Sequence, residues 1–66
     1  MTAAVTITAN GTSKQYVGSL KSIIADFCCE PEMMDLIRGA QHCEGEVCER
    51  KVTRMGQQVT AEVRVW

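Results

Sequence analysis

The stretch from Ser13 to Cys29 constrains the fold most, because it carries the longest hydrophobic periodicity in the chain. Its apolar residues recur at the i, i+1, i+4, i+7 and i+8 spacing of a helix with one buried stripe, and polar residues fill the opposite face. This stripe consists of Tyr16, Val17, Leu20, Ile23, Ile24, Phe27 and Cys28. The pattern therefore predicts a core-packed helix over residues 13–29.

The dipeptide Asn10-Gly11 in front of this stretch has two interpretations. Thr12 followed three residues later by Gln15 matches a capping box, which favours the start of a helix. Asn-Gly is also the signal for a two-residue hairpin, which would lead into a strand through Lys14 and Val17. The helical stripe favours the first interpretation, and the hairpin is the alternative.

The remaining elements follow from shorter patterns. Alternating small polar and apolar residues predict a first strand over Thr2–Ala9. Pro31, with an acid on each side, favours a second helix over residues 31–38 with Gly39 just after its end. In residues 59–66, valine or alanine at every second position alternates with Thr60, Glu62, Arg64 and Trp66, which predicts a last half-buried strand paired with residues 46–55.

The turn between the last two strands is assigned by charge. A turn at Gly56-Gln57 places Lys51 opposite Glu62 and Glu49 opposite Arg64, two favourable pairs. In that register Arg50 and Arg54 lie on the core side with Val52, so they must snorkel or pair, and acids of the second helix are candidate partners. The other sheet face is expected to carry Thr6, Thr8, Thr53, Thr60, Val47 and Trp66.

The predicted element order is β-α-α-β-β. It corresponds to a single α+β domain, residues 1–66, with a three-stranded, mainly antiparallel sheet and two helices packed on one face. A domain of this size buries only about 60% of the surface of its unfolded chain, so added contacts stabilise it. The Met33-Met34 pair, Trp66 and an edge strand favour a homodimer, through either edge-strand pairing or helix packing.

Charge is distributed unevenly and suggests a function. Segment 26–49 has seven acids and one arginine (seven minus one, −6), and segment 50–66 has four bases and one acid (four minus one, +3). An acidic surface fits a basic groove on a protein target. We therefore expect a non-enzymatic protein-binding module that inhibits or regulates a larger assembly, of the kind found among phage and mobile-element products. The tentative contact residues are Glu30, Glu32, Met33, Met34, Asp35, Glu44 and Glu46.

Two alternatives stay open. Arg50, Lys51, Arg54 and Arg64 would give a weak, salt-sensitive nucleic-acid contact, but the single Trp, Tyr and Phe form no stacking platform, so nucleic acid is the less favoured partner. A zinc-stabilised domain would use Cys29, His42, Cys43 and Cys48. Their spacing lacks paired Cys-x2-Cys knuckles, so metal-free thiols and no cofactor are expected.

Enzymatic and membrane roles have little support in the sequence. There is one histidine, no nucleophile elbow and no glycine-rich phosphate loop. The chain begins Met-Thr-Ala-Ala-Val, without a basic segment followed by an apolar block. A cytoplasmic protein that is not an enzyme and does not contact membranes is expected.

Overall fold

The computed structural model describes residues 1–43 and 45–66. The chain order of its elements is β-β-α-α-β-β. They are β1 (Thr2–Ala9), β2 (Thr12–Ser19), α1 (Leu20–Asp26), α2 (Pro31–Gln41), β3 (Cys48–Arg54) and β4 (Gln57–Val65). The α+β class is therefore confirmed, whereas the β-α-α-β-β order is wrong.

The four strands form one antiparallel sheet in the order β2-β1-β4-β3. The prediction of a three-stranded sheet is wrong because residues 12–19 form a strand. The first and last strands of the chain lie at the centre, where each is paired on both sides. The hairpin partners β2 and β3 form the two edges.

Turn chemistry explains why the long periodic stretch does not begin as a helix. Asn10 and Gly11 have φ values of 52° and 77°, the left-handed pair of a two-residue hairpin turn. The turn pairs β2 with β1 and sets Tyr16 opposite Val5. The helix starts only at Leu20, where the Ser19 hydroxyl oxygen accepts a hydrogen bond from the Ser22 N–H at 3.2 Å. The capping box at Thr12 is therefore not used.

The second helix begins at Pro31 as predicted and continues to Gln41, past the expected end near Gly39. Ala40 is fully buried, so an extra turn adds core contact. A Cβ at Gly39 would meet no atom within 4 Å, so this glycine sits in the helix without a packing role. Arg38 lies in the last turn, at the negative end of the helix dipole.

Both helices cover the same face of the sheet. Helix α1 packs on β1 and β2, and α2 packs on β3 and β4. The strand alternation predicted for β1 and β4 is confirmed. The buried core consists of Ala3, Val5, Ile7, Ile23, Phe27, Met33, Leu36, Ile37, Ala40, Val52, Val59, Ala61, Val63 and Val65.

The second hairpin turns at Met55-Gly56, not at Gly56-Gln57. Met55 and Gly56 have φ values of 52° and 75°, the same left-handed geometry as the first hairpin. This register pairs Val52 with Val59 on the core side and sets Glu49 opposite Glu62. The two predicted cross-strand ion pairs are therefore wrong, because surface charge pairs contribute only about 0.2–1 kcal/mol and do not decide the register.

No helix within the described residues is both long and apolar enough to cross a membrane.

Candidate protein-binding surface

An ion pair joins the start of α2 to the end of β3. Arg54 Nε donates to Glu30 Oε1 at 2.5 Å, and Arg54 Nη2 donates to Glu30 Oε2 at 3.1 Å. Both side chains are about three-quarters removed from solvent, at 23% and 26% exposure. The expectation that acids of the second helix neutralise a core-side arginine is confirmed for Arg54.

The Arg54 side of this ion pair contacts an aromatic cluster formed by Phe27 and Tyr16. The Arg54 guanidinium carbon lies 5.4 Å from the centre of the Phe27 ring, and Tyr16 packs edge-on against Phe27 at 5.3 Å. The hydrogen bond with Glu30 raises the pKa of Arg54 and burial opposes the increase, while Tyr16 contributes in the same direction as Glu30. Arg54 is thus a structural cation that links β3 to the aromatic part of the core.

A second acid of the same helix also bonds within the chain. The Thr53 backbone N–H donates to the Glu32 carboxylate, although Glu32 itself is exposed. Met33 is fully buried. Among the tentative contact residues, Glu30, Glu32 and Met33 therefore hold α2 against the sheet.

The other tentative contact residues are dispersed. Met34 is half-buried against the core, and Asp35 is exposed on α2 with Arg38 Nη1 3.9 Å from its Oδ1. Glu46 is exposed just before β3. Glu44 lies outside the described residues. The described carboxylates of segment 26–49 thus lie on several sides of the molecule.

An open groove lies beside the Arg54–Glu30 pair. It has a volume of about 280 Å³ and is lined by Cys29, Glu30, Pro31, Thr53, Arg54 and Met55. Ligand clefts typically have volumes of roughly 300–1,000 Å³ and enclose most of their ligand. The groove is below that range, and the charged groups on its wall already bond to each other.

The four basic residues of the nucleic-acid alternative do not form one surface. Arg50 and Arg54 lie on the helix-covered side of β3, whereas Lys51 lies on the opposite side. Arg64 stacks over the Trp66 ring at 5.1 Å and donates from Nε to the Gly45 carbonyl at 3.1 Å. A nucleic-acid backbone could not contact all four along one groove.

The thiols form two separate neighbouring pairs. The Sγ atoms of Cys28 and Cys29 are 3.8 Å apart, before α2. Cys48 neighbours Cys43 beyond the far end of α2, and burial followed by the hydrogen bond with Cys43 raises the pKa of Cys48. In residues 1–43 and 45–66 no group of three or more His, Cys, Asp or Glu side chains could hold a metal ion. The proposed zinc ligand Cys29 is therefore apart from the other three.

The face of the sheet opposite the helices is open and carries an apolar patch at one end. Trp66 pairs with Thr2 through reciprocal backbone hydrogen bonds of 2.7 and 2.9 Å, so it extends β4 on this face. In the adjacent row, Ala4 lies between Val17 and Arg64. Trp66 and Val17 are 50% and 60% exposed. We call Ala4, Val17, Arg64 and Trp66 the Trp66 patch.

Two carboxylates lie in the next row of the open face. Glu49 and Glu62 are directly opposite each other in the register, and both are exposed. Ion pairs within 4.0 Å in the described part of the chain are Arg54–Glu30 and Arg38–Asp35, so neither carboxylate has such a partner there. Like charges directly across a sheet are destabilising. The open face thus combines the Trp66 patch with two facing carboxylates that form no ion pair within 4.0 Å in the described residues.

The sequence placed Trp66 on the outer face correctly, but the Trp66 patch could not be recognised from it. The hydrophobic periodicity predicts a helix at Val17, and a turn at Gly56-Gln57 pairs Glu49 and Glu62 with bases. The Asn10-Gly11 dipeptide was the signal that would have placed Val17 on this face.

Comparisons of the chain with protein-family models, with curated proteins and with solved structures found no match.

Proposed function

We propose that this chain is a small, non-enzymatic protein-binding module that inhibits or regulates its target, with the open face of the sheet as its contact surface. The observation that carries the proposal is the position of Glu49 and Glu62 opposite each other beside the Trp66 patch. Facing carboxylates cost stability, and natural chains accept such local costs mainly at functional sites.

The Trp66 patch has the chemistry of an interface centre. Tryptophan and arginine are enriched among the residues that dominate binding energy. The Arg64 guanidinium is held over the Trp66 ring and by the Gly45 carbonyl, so little side-chain entropy remains to be lost on binding. The partner would offer an apolar recess for Trp66 and basic residues near Glu49 and Glu62.

Acidic residues still contact the target, as expected from the sequence, but they are different acids from those expected. Glu30 and Glu32 bond within the chain, whereas Glu49 and Glu62 are exposed on a flat strand surface. Acids near a contact increase the association rate with a basic partner and make it salt-dependent. An inhibitory or regulatory role requires only such binding and no chemistry.

Nucleic acid is the second candidate, because Lys51, Arg64 and Trp66 share the open face. Glu49 and Glu62 lie between these two bases and would repel phosphate. The protein partner is therefore the better-supported candidate.

The test compares surface variants in a capture experiment with extract of the native cell. The wild type, Trp66→Ala and the double variant Glu49→Gln/Glu62→Gln are immobilised, and each captured protein is then purified and titrated calorimetrically. We expect affinity to fall at least tenfold in both variants, about 1.4 kcal/mol each. The double variant should also lose most of the salt dependence of binding.

The matched control carries Lys21→Gln and Asp35→Asn, which change two exposed charges on the helices. It should bind like the wild type. Equal loss in the control and the open-face variants would contradict the proposed surface. Saturable binding of labelled RNA or DNA that weakens steeply with salt, and is stronger in Glu49→Gln/Glu62→Gln, would support the nucleic-acid candidate instead.

A further inference from the structure

The two edges of the sheet differ in their protection against pairing with another strand. On β3 the outward N–H of Thr53 is capped by the Glu32 carboxylate. The same strand carries the exposed charges Glu49, Arg50 and Lys51. Side-chain caps and charged residues are devices that prevent edge-to-edge association. The β3 edge is therefore blocked.

The β2 edge has no capped N–H among the described residues and carries fewer charges than β3. The Leu20 N–H donates to the Met1 carbonyl at 2.8 Å, so alternate residues of β2 point their backbone groups toward β1 and the others point outward. The outward residues include Ser13, Gln15 and Val17, whose N–H and C=O groups have no hydrogen-bond partner among the described residues. The only charged residue of β2 is Lys14.

We infer that β2 pairs with β2 of a second copy of this chain, antiparallel and about a two-fold axis. A two-fold contact uses the same strand on both sides, so one unprotected edge is sufficient. The sheets of the two copies then join into one continuous sheet, in which both unblocked edges are paired and only the capped β3 edges remain. Edge-strand pairing is thereby chosen over helix packing as the dimer contact.

The outward groups restrict the register. Outward residues must face outward residues, so the axis passes through a residue and not between two residues. We consider axes at Gln15, Tyr16 and Val17, in the middle of the exposed edge. An axis at Val17 sets the two exposed valines against each other and places Tyr16 opposite Gly18 of the second copy. An aromatic side chain covers the gap left by a cross-strand glycine well. This register pairs the two exposed valines and covers Gly18, and we adopt it.

The axis at Val17 also joins the two Trp66 patches. Val17, Ala4 and Arg64 lie in one row across β2, β1 and β4. With Val17 opposite Val17 of the second copy, this row and the same row of the second copy form one continuous row across the joined sheet. The dimer would therefore present one apolar strip with a tryptophan on each side of the axis, and β2 adds its own surface to the open face.

Proline substitutions test the edge without disturbing the fold. Gln15→Pro removes an outward N–H and places a ring at the pairing edge, while the β1–β2 hydrogen bonds stay intact. Lys51→Pro does the same on the blocked β3 edge and is the matched control. Sedimentation equilibrium across micromolar concentrations should show a dimer for the wild type and Lys51→Pro, and a species of about 7.3 kDa for Gln15→Pro.

Circular dichroism verifies that both proline variants are folded. A wild type that stays at 7.3 kDa at every concentration overturns the inference. A dimer that persists in Gln15→Pro, or that is lost in Lys51→Pro, overturns the assignment to β2. Because no other protein takes part, failure here is distinguishable from failure of the proposed partner binding.

Introduced thiols test the register. In a background with Cys28→Ser and Cys29→Ser, Val17→Cys should form an intermolecular disulfide under mild oxidation, because directly opposed strand residues have Cα atoms about 5.5 Å apart. Gln15→Cys is the control, because this residue faces Ser19 of the mate and lies far from its own counterpart. Mass spectrometry identifies the linked peptides. Cross-linking through Gln15→Cys but not Val17→Cys would overturn the register.

Discussion

The Arg54 guanidinium donates two hydrogen bonds to the Glu30 carboxylate, at 2.5 and 3.1 Å, and so joins the last residue of β3 to the N-cap residue of α2. Glu32, two residues further along the chain, adds a second connection by accepting from the Thr53 N–H. The two acids therefore fix the angle at which α2 enters the core, and the Glu32 contact also caps an outward N–H of the β3 edge.

We predict that Arg54→Ala lowers the free energy of unfolding by about 1–2 kcal/mol. This is between the 0–1 kcal/mol of surface pairs and the 3–5 kcal/mol of fully buried ones, because the pair is only partly removed from solvent. Urea denaturation measures the change. Arg50→Ala, on the same side of β3 but exposed, is the control and should change stability by less than about 0.5 kcal/mol.

Met55→Asn should stabilise the protein. Met55 is fully exposed and has a φ of 52°, a left-handed conformation that costs a non-glycine residue roughly 1 kcal/mol and that asparagine tolerates better. The variant reproduces the Asn-Gly sequence of the first hairpin. We expect a gain of about 0.5–1 kcal/mol in thermal or urea unfolding. Met55→Val, which is β-branched, should do the opposite.

Neighbouring isoleucines of α1 should differ in their importance. Ile23 is 2% exposed in the core, whereas Ile24 is only half-buried at its margin. We predict that Ile23→Ala costs about 2–5 kcal/mol and Ile24→Ala roughly half as much. Equal losses of unfolding free energy would contradict the orientation of α1, in which Ile23 faces the core and Ile24 lies at its margin. The sequence pattern by itself assigned both residues to the buried stripe.

Stability should fall at alkaline pH through Cys48. Burial and the hydrogen bond with Cys43 raise its pKa above the ordinary value of 9.0. Above that pH the unfolded chain has lost the thiol proton while the folded chain retains it, so the free energy of unfolding decreases as pH rises. Below that pH the stabilisation is complete. Cys48→Ala should reduce this pH dependence in urea titrations.

The raised pKa of Cys48 can also be observed directly. The pH dependence of alkylation at Cys48, followed by mass spectrometry, should have a midpoint above 9.0. Cys43→Ala should move that midpoint down without restoring the ordinary pKa, because burial is the larger cause. Cys29→Ala, at the opposite end of α2, should leave the midpoint unchanged.

Sequence patterns are sufficient to predict the elements whose local signals agree. Strands β1 and β4 alternate with period two, and their buried residues are those expected. Pro31 set the start of α2, and alternation placed Arg54 on the core side, where an acid of α2 neutralises it. At these positions propensity, periodicity and burial favour the same structure.

Where local signals conflict, the observed element depends on strand pairing and turn geometry. From Tyr16 to Phe27 the spacing matches a helix throughout, yet the Asn10-Gly11 turn and pairing with β1 make Tyr16 and Val17 part of a strand. Pairing with β2 satisfies the backbone hydrogen-bonding groups along one edge of β1. The short amphipathic pattern does not outweigh these hydrogen bonds. The Met55-Gly56 turn likewise overrode weak surface charge pairs. The Trp66 patch and the facing Glu49 and Glu62 exist only because both hairpins close in these registers.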